Sequence, residues 1–245
     1  MIAASAALCA TASLLAVESA NIVGYQTKDV RQYLSVQLAT FEDVAAEGMN
    51  IQSIKPVAPD GEAISSGDFE IQIYDALGSI VTSYAYVLGE DIGDEYVDGW
   101  YEEDWETLVN KTFDPGEAFN LSMSIEGGSL QYAGEVIGEE ISVPVRQYLS
   151  AQGNLRPVAV DIQTVTPVVE EGDSLESGDF EIQIYDALGS IVTSYAYVLG
   201  EDIGDEYVDG WYEEDWETLV NKTFNPGEGF NVSAAKVGYL KFPAL

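Results

Sequence analysis

The chain has 245 residues, 47% of them hydrophobic, and its 43 acidic against 9 basic side chains give a formal charge of −34. That hydrophobic share is ample for buried cores, while the scarcity of Lys and Arg argues against nucleic acid and anionic membranes as partners, since neither phosphate-rich surface would be neutralised. With no histidine and a single cysteine, the chain also lacks the residues for a Ser-His-Asp triad, a His-ligated zinc or an iron–sulfur cluster, which leaves paired carboxylates or a hard, oxygen-liganded cation.

In chain order, residues 1–20, "MIAASAALCATASLLAVESA", form an apolar run of small residues with a cleavage point near Ser19 or Ala20. The run reads as a secretory signal without its positive n-region, and it is too short and Ala-rich for a membrane span. Cys9 lies inside it, so the mature chain is expected to hold no cysteine and no membrane span. The next segment, "QYLSVQL" (32–38), reads as a strand, "EDVAAEGM" (42–49) as a short helix and "NIQSI" (50–54) as a strand.

"DFEIQIYD" (68–75) alternates Phe69, Ile71 and Ile73 with Glu70, Gln72 and Tyr74. Such alternation predicts a strand with one apolar face. A turn centred on Gly78 then leads into "SIVTSYAYVL" (79–88), β-branched and aromatic, and the two segments make a hairpin. "ETLVNKTF" (106–113), "AFNLSMSI" (118–125) and "SLQYAGEVI" (129–137) are further expected strands, set apart by turn clusters such as "DPGE".

After residue 137 the chain repeats itself. Residues 66–122 return at 177–233 with only Asp114/Asn225, Ala118/Gly229 and Leu121/Val232 changed, and "RQYLS" at 31–35 returns at 146–150. A period near a hundred residues exceeds that of a short solenoid repeat, so each copy is long enough for its own core. The expected architecture is all-β: two tandem antiparallel β-sandwich-like domains, 21–137 and 138–245, following the signal segment.

One repeated block carries the candidate chemistry: "DGWYEEDW" at 98–105 and again at 209–216, each with an acidic run before it. Asp91, Asp94 and Asp98, with Asp202, Asp205 and Asp209 in the second copy, are the candidate ligands for calcium, which takes six to eight oxygens. The spacing is not that of an EF-hand, and the competing reading is a solvated acidic loop. Trp100, Tyr101 and Trp105, with Trp211, Tyr212 and Trp216, are candidates for stacking on a sugar face; against this stands a structural role sealing one end of a sandwich. Glu102, Glu103 and Asp104 are too close together on one strand or turn to face each other as a glycosidase pair. The sequons at Asn110, Asn120, Asn221 and Asn231 matter only in a host that glycosylates them.

The segments "ANIVGYQ" (20–26), "VQLATFEDV" (36–44), "FEIQIYDALGSIVTSYAYV" (69–87), "DGW" and "PGEAFNLS…AGEV" together resemble repeated domains of secreted proteins from Verrucomicrobiota, Lentisphaerota and related bacteria. The resemblance implies secretion and β-domain architecture and brings no catalytic residues. The resulting expectation is a secreted extracellular or cell-surface structural and interaction protein without enzymatic activity, whose partners are protein or glycan at the cell exterior or another copy of the chain. The alternative is a calcium-stabilised adhesion or carbohydrate-binding module.

Overall fold

The computed structural model describes residues 23–29, 33–39 and 48–245, except 78, 94, 115–116, 136–137, 157, 187–189 and 205–206. The signal segment, most of the expected helix at 42–49 and the Gly78 turn centre lie outside the described residues.

The fold is all-β. A first series of strands comprises β1 (Val23–Asp29), β2 (Tyr33–Ala39), β3 (Met49–Asn50), β4 (Lys55–Val57), β5 (Phe69–Tyr74), β6 (Ile80–Val87), β7 (Gly99–Tyr101), β8 (Thr112–Phe113), β9 (Phe119–Met123) and β10 (Ser129–Glu135). The second series runs in the same order: β11 (Ile141–Val145), β12 (Tyr148–Gly153), β13 (Val160–Asp161), β14 (Thr166–Val169), β15 (Phe180–Tyr185), β16 (Ile191–Val198), β17 (Gly210–Tyr212), β18 (Thr223–Phe224), β19 (Gly229–Ala234) and β20 (Gly238–Phe242). Among the described residues strands pair only within their own series. The first forms sheets β2-β9-β5-β6-β7, β1-β10-β4 and β3-β8; the second forms the matching β12-β19-β15-β16-β17, β11-β20-β14 and β13-β18. Every pairing is antiparallel.

The expected hairpin is present, with Ile71 opposite Tyr84 and Ile73 opposite Thr82. Alternation along β5 sends Phe69 and Ile71 inward, where they meet Phe119, Leu121 and Met123 of β9 and Leu130 and Tyr132 of β10. One cluster of buried residues therefore draws on both the five-stranded and the three-stranded sheet. Each fully buried large side chain there contributes roughly 1.5–3 kcal/mol. The second series builds its equivalent from Phe180, Ile182, Phe230, Val232 and Leu240.

Three local expectations are corrected. "NIQSI" holds only the last residue of the two-residue strand Met49–Asn50 and then a 3-10 turn at Ile51–Ser53, because the Asn50 carboxamide accepts the Gln52 N–H at 2.8 Å and closes the turn. "ETLVNKTF" pairs as a strand only at Thr112–Phe113, with an isolated bridge from Leu108 to Tyr101. Two four-residue helices not anticipated from the sequence, α1 (Gly89–Ile92) and α2 (Gly200–Ile203), occupy the acidic stretches before the tryptophan blocks.

Among the described residues the two series touch around the start of β12. Nη2 of Arg146 donates to the Tyr74 carbonyl at 3.1 Å, and its Nε donates to the Leu149 carbonyl at 2.8 Å. The Leu149 N–H donates to the Ala76 carbonyl at 3.3 Å. The start of β12 in the second series thus sits against the end of β5 in the first, with β12 and β19 passing beside β2.

Candidate functional site

The repeated block begins on β7, a short edge strand whose Trp100 sits opposite Tyr86 of β6. Trp100 is completely buried. Its indole Nε1 donates to the Ile54 carbonyl at 2.9 Å, and its ring meets Tyr86 edge-on at 5.4 Å between centroids. Tyr101 is also buried and donates its hydroxyl to the Val97 carbonyl at 2.8 Å. Trp211 and Tyr212 repeat both arrangements, donating to the Val165 and Val208 carbonyls.

These four rings present no face on which a sugar could stack. Their assignment as ligand-binding residues is corrected: a small β-unit needs large apolar bodies at its centre, and each polar tip finds a backbone acceptor. Trp105 and Trp216 differ, with 37% and 38% of their surface exposed.

Beyond Trp100 the chain makes a tight acidic turn. The Glu102 N–H donates to the Thr107 carbonyl and the Trp105 N–H to the Glu102 carbonyl, both at 2.9 Å. Asp104 organises the turn, its Oδ1 accepting the N–H groups of Glu106 and Thr107 at 2.9 Å and its Oδ2 the Thr107 hydroxyl at 2.8 Å. The Thr107 and Glu106 bonds favour the ionised form and hold the Asp104 carboxyl below its ordinary value; those of Thr218 and Glu217 do the same for Asp215. Trp105 adopts a left-handed φ of 58°. There its ring covers Gly67, where an added Cβ would stand 3.1 Å from the indole. Gly67 itself has φ +85°, so both the space and the backbone call for glycine.

The candidate calcium ligands are likewise engaged locally. Asp91 accepts the Ser66 hydroxyl and, at 3.3 Å, the Ser66 N–H, while the Ser66 oxygen accepts the Leu88 N–H at 2.8 Å. Asp98 accepts the Gly89 N–H at 2.8 Å. Asp202 and Asp209 hold Ser177 and Gly200 in the same way. Asp94 and Asp205 lie outside the described residues. Among the described residues no three acidic side chains converge as a metal cage. Glu102 and Glu103 are exposed neighbours on the one turn, with Asp104 committed to Thr107.

Burial raises the Tyr86 hydroxyl above its usual value, and the nearby Asp98 charge adds to the effect; burial and Asp209 act alike on Tyr197. Among the sequons, Asn120 and Asn231 are buried within β9 and β19, where a folded chain offers no access to a transferase, while Asn110 and Asn221 are exposed.

The sequence reading missed Gln52, which joins the block to the rest of the unit. Its Nε2 donates to the carbonyls of Trp100 and Val109, both at 2.8 Å, and its Oε1 accepts the Trp100 N–H at 3.0 Å. Gln163 repeats all three bonds with Trp211 and Val220. The signal was present: "NIQSI" and "DIQTV" keep Ile and Gln at the same offset of 111 while their polar neighbours change.

Comparison with protein-family models, curated proteins and solved structures finds no match to this chain. Among the described residues no helix is long and apolar enough to cross a membrane.

Proposed function

We propose that the chain is a secreted extracellular or cell-surface structural and interaction protein, non-enzymatic, in which two tandem sandwich-like units serve as mechanical and docking modules. The observation that supports this reading is the commitment of the repeated block to internal bonds: Trp100, Tyr101, Asp91, Asp98 and Asp104 each hold backbone of their own unit, and their copies do the same. Secretion rests on the apolar opening segment and on the resemblance of the residues that follow it. A charge of −34 suits a saline exterior, where screening relieves self-repulsion.

The partly exposed Trp105 and Trp216, each beside exposed glutamates, are the features that favour the second reading, a calcium-stabilised adhesion or carbohydrate-binding module. Thermal unfolding of the full chain in EDTA and through a calcium titration at constant high ionic strength separates the two. A scaffold shows no midpoint shift beyond that of matched sodium chloride. A saturable rise at low calcium, abolished by Asp98→Asn with Asp209→Asn, would replace it with the metal-stabilised module.

A further inference from the structure

From the open edge of β6 we infer that the chain pairs edge to edge with a second copy of itself, the stretch Ile80–Tyr84, or its repeat Ile191–Tyr195, meeting the same stretch of the other copy. The inference deepens the structural reading above and rests on it.

β7 is short and pairs with β6 only at Ala85, Tyr86 and Val87. Beyond Tyr101 the chain leaves the sheet, the Glu102 N–H turning to the Thr107 carbonyl. Among the described residues nothing pairs with the rest of β6, Ile80–Tyr84, on that side. The N–H and C=O of Trp100, opposite Tyr86, are taken by Gln52 and Val109, so the bonds between β7 and β6 fall at Ala85 and Val87. Alternation then turns the backbone groups of Ser83 and Val81 to the same, open side. Val81 is also the extra residue of a bulge, skipped between the pairs Ile73–Thr82 and Tyr74–Ile80, and it is 59% exposed. The second unit repeats this: β17 stops its pairing at Ala196, and Val192 is skipped and equally exposed.

A second copy fits this edge. Residues 76–89, and again 187–200, carry no charged side chain in a chain of net charge −34, so two copies can approach here with little local repulsion. Sheets guard their edges with proline or lysine, and Pro56, Pro144 and Pro167 stand in the outer strands β4, β11 and β14. Ile80–Tyr84 has neither residue. Two such stretches laid antiparallel about Thr82 match themselves: Val81 and Ser83 exchange N–H and C=O groups in both directions, and Thr82 stands opposite Thr82, a favoured cross-strand pair. The contact is isologous, so one surface supplies both sides of it.

The same geometry sets the strength. A pair of strands this short covers less than the roughly 1,200 Å² at which stable interfaces begin, so each contact is weak and assembly belongs to high protein concentration. Each chain carries the edge twice and can hold two neighbours, which extends assembly past a dimer. Salt screens the repulsion between the remaining charges and strengthens it.

Sedimentation velocity of the full chain, from micromolar to millimolar protein in about 0.05 to 1 M sodium chloride, with hydrogen exchange read by mass spectrometry on the same samples, tests this. The expected result is a mass that grows with concentration and salt, while exchange in Ile80–Tyr84 and Ile191–Tyr195 slows as it grows. Val81→Lys with Val192→Lys places a lysine at each exposed bulge and also lowers the negative charge. Relief of repulsion alone would make this variant associate more readily; edge pairing predicts association about tenfold weaker. Circular dichroism melting confirms that the variant is folded. A monomer at every concentration and salt overturns the proposal, as does assembly that leaves exchange at the edge unchanged or that the lysine variant fails to weaken. None of these failures touches the structural reading, which fails instead on a calcium-dependent midpoint.

Discussion

The indole of Trp100 and the carbonyl of Ile54 are joined at 2.9 Å inside the core, bringing the edge strand β7 onto the segment that follows the 3-10 turn. Trp100→Phe keeps an aromatic body but removes the donor and leaves a smaller ring. The Ile54 carbonyl then loses its partner in a buried setting. The expected cost is about 2–4 kcal/mol, combining an unsatisfied polar group with a partial cavity. Urea denaturation of Trp100→Phe and of Trp211→Phe checks it, and both should destabilise, since the arrangement recurs with Val165. A change below about 0.5 kcal/mol in both, the range of an ordinary surface substitution, would remove the structural role assigned to these rings.

Gln52 is small beside Trp100 but satisfies three backbone groups at once. Gln52→Met preserves length and approximate volume and removes every one of those bonds. The loss should be roughly 2–4 kcal/mol, close to the Trp100 effect and much larger than a volume-conserving swap alone. Combining Gln52→Met with Trp100→Phe should cost less than the sum, because both act on one local network. Strict additivity in equilibrium unfolding would contradict that coupling.

Trp105 and Gly67 form a second pair, and a double-mutant cycle isolates it. Gly67→Ala places a Cβ at φ +85°, 3.1 Å from the indole, so it should destabilise by about 1–3 kcal/mol from backbone strain and crowding. Trp105→Ala loses a partly exposed ring and should cost about 1 kcal/mol. In the double variant the crowding disappears while the strain remains, so the coupling term has the sign of relief. A coupling indistinguishable from zero would show that the ring does not rest on Gly67.

Much of this architecture is legible in the residues, and the illegible parts have physical reasons. The hairpin of β5 and β6 follows from the two-residue period of Phe69, Ile71 and Ile73 and from β-branched density after the turn. Duplication of the element order follows from the offset of 111. The fate of the tryptophans does not follow, because "DGWYEEDW" gives equal weight to a loop of acids and a run of aromatics. Only the pairing of β7 with β6 puts Trp100 inside, and only the left-handed turn brings Trp105 onto Gly67, a contact made by residues far apart in sequence. Buried Arg156 defeats composition in the same way: its burial depends on carbonyls at Glu139 and Phe242 that lie on either side of it in sequence.

Asp104 and Asp215 give the pH dependence of the turn. Both carboxyls lie below their ordinary value in the folded chain because N–H groups and a threonine hydroxyl bond to the charged form. A depressed folded value means the unfolded chain binds the proton more readily, so the contribution is fully present above the unfolded value of about 3.9. It is lost as pH falls through the lower folded value. Stability measured by urea midpoint should therefore decline from about pH 4 downward more steeply in the native chain than in Asp104→Asn with Asp215→Asn, and the two curves should converge at the acid end. Asparagine retains an acceptor oxygen and has no carboxyl to titrate, so the variant isolates the charge. Parallel curves across that range, or side-chain carboxyl resonances of Asp104 titrating near 3.9, would show that the turn does not depend on the ionised group.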